Sequence, residues 1–120
     1  MLLSDIITML SSITTTGTTS GDAIPFAYRA FPIGEAPVPP FICYLMESSR
    51  PEEADNIGMP ITTLSIELYT DNKDFALEAN VEAVLTANEM VWSKEETWLD
   101  DERMQMTTYT MEVYINGSTE

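Results

Sequence analysis

The chain has 120 residues, 44% of them apolar, and sets five Lys and Arg against twenty Asp and Glu for a formal net charge of −15. That is the length of one domain with a real core, and the apolar share excludes disorder throughout. With no His and a single Cys, His-based triads, the common zinc sites and an internal disulfide framework are excluded, and a pI near 4.1 excludes the basic footprint of a nucleic-acid binder.

The first residues do not read as a targeting segment: no Lys or Arg precedes the apolar start, and Asp5 interrupts it. No run approaches the roughly 18 apolar residues that span a bilayer. A soluble protein made in a reducing cytoplasm is expected. Leu3, Ile6, Ile7, Leu10 and Ile13 share one stripe and predict an amphipathic helix over 2–14. The Thr-, Ser- and Gly-rich stretch 14–21 follows as a loop. Residues 24–31 suit a short strand, with Pro25 confined to its start or to a sheet edge. Pro32, Pro37, Pro39 and Pro40 then make 32–40 an ordered, extended connector.

Residues 41–47 are nearly all apolar and predict a buried strand. The polar stretch 48–59 is long for a hairpin loop and is expected to order on assembly, with Arg50, Glu52, Glu53 and Asp55 as contact candidates. In 61–70, Leu64, Ile66 and Leu68 alternate with Thr63, Ser65 and Glu67, the pattern of a half-buried strand antiparallel to 41–47. Asp71 or Asn72 is the expected N-cap of a second helix. Its buried stripe is Leu77, Val81, Val84 and Leu85, its outward acids are Glu78, Glu82 and Glu89, and its end lies near Asn88. Residues 91–99 and 103–115 predict two strands around an acidic turn, Asp100-Asp101-Glu102. In the second, Tyr109, Met111, Val113 and Ile115 face one way and Thr108, Thr110, Glu112 and Tyr114 the other. The order α-β-β-β-α-β-β predicts one α+β domain over 1–120. Its sheet is mostly antiparallel, of four or five strands, with two helices on one face and a short tail at 118–120.

The inventory of chemistry is thin. Residues 71–102 hold ten acids against Lys73 and Lys94, which places eight of the fifteen net negative charges there. Taken singly, the helix acids read as a solvated face, and taken together the charge reads as a repulsive or cation-recruiting surface. Asp100-Asp101-Glu102 lacks the spacing of a calcium loop. Neighbouring acids such as Glu95 and Glu96 point to opposite faces of a strand and do not make an acid/base pair. Cys43 has no His to activate it and lies in a buried strand. No catalytic residue, cofactor or metal is assigned, and a non-enzyme is expected. Trp92 and Trp98, an even offset apart on one strand face, are either core or interface anchors, while Met104 and Met106 suit an adaptable contact surface.

One set of segments has a familiar order. Leu68-Tyr69-Thr70-Asp71-Asn72-Lys73-Asp74-Phe75 is followed by Glu78 to Leu85, by Lys94-Glu95-Glu96-Thr97, by Glu102-Arg103-Met104 and by Tyr109 to Val113. With the upstream block Ala36 to Tyr44, this resembles the tail terminator (tail completion, head–tail joining) proteins of long-tailed bacteriophages and prophages, over about 90 residues from Ile24 to Ile115. The Thr/Ser/Gly segment in the first 20 residues departs from that pattern. The resemblance implies a virion protein of the tail or neck that assembles in the host cytoplasm. It would form a homo-oligomeric ring, usually a hexamer, that caps the tail tube and docks it to the head connector or stopper protein. The genome would pass through without specific binding, and no catalytic residues carry over. The rival expectations are a head-completion or connector neck protein, an acidic DNA-mimic inhibitor of a host enzyme, and a carboxylate enzyme using a metal.

Overall fold

The structure, a computed structural model, describes residues 3–16, 21–32, 34–49 and 61–114, without the side chains of Leu3, Ser48, Ser49, Ile61 and Tyr114. Arg50, Glu52, Glu53 and Asp55, the rest of the expected 48–59 loop from Arg50 on, and the 118–120 tail lie outside the described residues.

Helix α1 covers Leu3–Ser11. Of the expected stripe, Ile6 and Leu10 are fully enclosed, Ile13 is buried just beyond the helix end and Ile7 is half-buried, while Met9 joins them. The chain then turns back, with a bridge between Thr14 and Ala23. Strand β1 is Phe26–Tyr28, shorter than expected, and β2 is Phe41–Ser49. Strand β3 is Ile61–Thr70, helix α2 is Phe75–Ala87, and β4 and β5 are Ser93–Leu99 and Met104–Tyr114. Val91 and Trp92, expected within β4, precede it.

One five-stranded sheet runs in the order β1-β2-β3-β5-β4. β2 and β3, β3 and β5, and β4 and β5 pair antiparallel, while β1 lies parallel to β2, so the sheet is mixed rather than purely antiparallel. The proline-rich connector is the reason. A parallel neighbour needs a crossover rather than a hairpin, and residues 29–40 supply it. That crossover passes over the side of the sheet opposite the core, because Phe31 meets Phe41 edge-on at 5.5 Å and Phe41 stacks on Tyr69 at 4.9 Å.

Residues opposite each other in a ladder share a face. Tyr44, Ile66 and Tyr109 are aligned, as are Met46, Leu64 and Met111, and this side meets the helices. Ile42, Leu64, Ile66, Leu68 and Tyr109 are fully buried there against Ile6, Leu10, Leu77, Val81 and Leu85. Asn80 ties α2 to the turn after α1 through its side-chain amide, which donates to the Thr15 carbonyl at 3.1 Å. The other side carries Thr63, Ser65, Glu67, Thr108 and Thr110, all half-buried. The outer strand β4 is exposed along most of its length and bears Lys94, Glu95 and Glu96, charges that discourage edge-to-edge pairing. Among the described residues no helix is long and apolar enough to cross a membrane.

The cap of α2 corrects the expectation of Asp71 or Asn72. Asp74 occupies the position, its Oδ1 accepting from the Leu77 backbone N–H at 3.0 Å, and residues 71–74 act as the turn out of β3. Its charge also lies at the positive end of the helix. Asp74→Ala is expected to cost about 1 kcal/mol, and Asp74→Asn much less because the amide oxygen can still accept. Urea unfolding of the two variants checks this, and equal losses would separate the cap from the stability of the helix.

Candidate functional site

The most organised group of polar side chains lies between α2 and the sheet. Glu78, expected to point outward, is 2% exposed. Its Oε1 meets Lys73 Nζ and Lys94 Nζ, both at 2.9 Å, and its Oε2 accepts from Thr107 Oγ1 at 3.3 Å. Lys73 also pairs with Glu96 at 2.7 Å and Lys94 with Glu82 at 2.7 Å. Glu82, also expected outward, turns toward the sheet and accepts from the Tyr109 hydroxyl at 2.8 Å. Gln105 Nε2 donates to Glu96 at 3.2 Å. Both lysines of the chain are thus engaged by three carboxylates that join α2 to β4 and β5.

The electrostatics follow from this geometry. Burial alone would raise the Glu78 pKa, but hydrogen bonds and charge from Lys73 and Lys94 outweigh it and hold the carboxyl below its ordinary value. Lys73 is raised, by Glu96 first and then Glu78, and Lys94 is raised by Glu82 and Glu78 against a smaller opposing effect of burial. The Tyr109 hydroxyl is pushed far above the usual range by burial and by its bond to Glu82. All of these shifts favour the protonation states present at neutral pH. The group is therefore a fastener with fixed charges. For Glu78, Lys73, Lys94 and Tyr109 the shifts lead away from proton exchange near neutrality.

The wheel of α2 contains the signal that would have placed Glu78. At 3.6 residues per turn it lies about 20° from Leu85, on the margin of the buried stripe. Its polarity argued for the outside, and only the two lysines arriving from the preceding turn and from β4 reverse that.

The contact candidates separate onto two surfaces. Trp92 is half-buried, with its ring 6.2 Å from that of Tyr109 in an edge-on contact, so it completes the core. Trp98, opposite Gln105 on the same side of the sheet, is 45% exposed. Met104 and Met106 pair with Leu99 and Thr97 on the far side and are half-buried. Cys43 is buried on that far side too, and burial raises its thiol pKa, which leaves it a small apolar filler. A shallow cleft before α2 is lined by Pro39, Pro40 and Thr70 to Asp74. An open groove beside Trp92 is lined by Thr63, Val91, Ser93, Thr110, Met111 and Glu112. Among the described residues no group of three or more His, Cys, Asp or Glu is placed to hold a metal ion.

No family model matches the chain, and no curated protein or solved structure matches it.

Proposed function

We propose that this chain is a structural assembly protein of the phage tail terminator kind, acting as a ring that caps a tail tube and presents a docking face to the head connector. One observation carries the proposal. Lys73, Asp74, Glu78, Lys94 and Glu96, which belong to the resembling segments, meet in space as the α2 cap and the ion network. Segments separated in the chain thus share one structural task, and the proposal rests on the resemblance that those segments carry. The function would be steric: the ring ends the tube by occupying its growing face. A negative lumen would let DNA slide, since like charges suppress phosphate contacts.

Charge sets the condition for assembly. A subunit of net charge −15 resists self-association, and a ring of six would gather about ninety such charges. Apolar contact must supply the attraction, and Met104 and Met106 on the far side of the sheet are the surface for it. Ring formation is therefore expected to strengthen with added salt or Mg²⁺. The Debye length falls from about 30 Å at roughly 10 mM to about 3 Å at roughly 1 M. Sedimentation at those two salt concentrations tests the proposal. A chain that stays monomeric in both, at high concentration and with Mg²⁺, would not self-assemble, and only templating on a tube would preserve the terminator role.

A further inference from the structure

Two large aromatic rings next to the ion network are left in solvent. Phe75, the first residue of α2, is 75% exposed and Trp98 is 45% exposed. Neither is loose. Lys73 Nζ lies 4.8 Å from the centre of the Phe75 ring and 2.7 Å from Glu96 Oε2. Glu96 stands two residues before Trp98 on the same side of β4, and its other oxygen is held by Gln105, the cross-strand neighbour of Trp98. The rings therefore flank an ion pair that is itself fixed to the core through Glu78.

The acids around them have no cationic partner among the described residues, although Asp74 also caps α2. Asp71, Asp74, Asp100 and Asp101 border the two rings along the chain, all are exposed, and none forms an ion pair with another described residue. Lys73 is committed to Glu78 and Glu96 and has no charge left to offset them. Exposed aromatic side chains inside a charged rim are the usual makings of a binding hot spot.

We propose that Phe75 and Trp98 anchor a docking surface for a basic protein segment, one that presents an apolar side chain flanked by Lys or Arg. Complementarity of charge selects this occupant. A second copy of the chain brings fifteen more net negative charges to the rim, and a nucleic acid brings only phosphates. The inference holds whether or not the chain forms a ring.

The test uses two synthetic peptides of equal positive charge, one alternating Leu with Lys and the other lysine alone. Binding to the full chain is measured by calorimetry at about physiological salt, where exposed charges are screened beyond about 8 Å. The Leu–Lys peptide is expected to bind more tightly than oligolysine. The double variant Phe75→Ala, Trp98→Ala is expected to weaken it about tenfold or more while leaving oligolysine binding unchanged. Circular dichroism and the unfolding midpoint confirm that the variant is folded. Trp98→Ala alone, which leaves α2 untouched, is the second variant and should show part of the same loss. Equal affinity for both peptides, no binding by the wild-type chain, or unchanged binding by the folded variants would overturn the proposal. So would sedimentation showing that the double variant loses self-association that the wild-type chain possesses, which would assign the surface to a second copy.

Discussion

Ile66→Ala is expected to destabilise the protein by 2–5 kcal/mol, on the order of losses measured for large-to-small changes in tightly packed cores. Ile66 is the middle residue of the apolar face of β3, fully buried, with Tyr44 opposite on β2 and Tyr109 opposite on β5. The strand is held on both sides by ladders, so neighbouring backbone cannot collapse into the space left behind. The lost transfer energy and the cavity therefore add. Urea unfolding measures the change as a shift in midpoint at constant slope. Ser65→Ala, one residue along on the far side and half-exposed, is the control and is expected to shift stability by less than about 0.5 kcal/mol. A loss below about 1 kcal/mol for Ile66→Ala would reverse the face assignment of the sheet.

Glu78→Ala is expected to cost about 3 kcal/mol, the lower end of the range for breaking a buried ion pair by removing one partner. The lower end applies because Lys73 and Lys94 are each about a third exposed and each keeps a second carboxylate, Glu96 and Glu82. The same carboxylate gives a pH signature. Its folded pKa lies below its ordinary value near 4.5, so the stability it contributes is full above that value and disappears as pH falls through the folded pKa. The two lysines act in the opposite sense: their raised pKa values contribute stability that is full below about 10.5 and disappears as pH rises through the folded values. The difference between wild type and Glu78→Ala should thus be large at about pH 7 and shrink toward about pH 3. The difference between the two proteins cancels the general relief of repulsion that acid brings to so negative a chain. A penalty unchanged at low pH would show that the methylene packing of Glu78, rather than its charge, holds α2 to the sheet.

The elements were legible in the residues because their signals are local. The apolar spacing of Ile6, Leu10 and Ile13 marks α1, the alternation through Leu64, Ile66 and Leu68 marks β3, and the period of Tyr109, Met111 and Val113 marks β5. The antiparallel pairing of β2 with β3, and the acidic turn between β4 and β5, followed from the same kind of reading. The end of α2 at Asn88 was equally plain, since the apolar stripe stops there.

Three features were decided only by tertiary contact. A run of proline specifies extended backbone but no destination, so the crossover that makes β1 parallel to β2 came from closing the sheet. Asp71, Asn72 and Asp74 are all competent caps by composition, and the turn out of β3 selected Asp74 by bringing its carboxylate to the Leu77 N–H. The orientation of Glu78 depended on Lys73 and Lys94, which approach from five residues before it and from another strand. By itself the sequence determined an acidic α+β domain without histidine chemistry, because periodicity and composition belong to single segments. The fold alone decided which acids lie inside and which aromatics remain in solvent. A carboxylate is buried when cations surround it from several elements, and a ring stays exposed when no element reaches it.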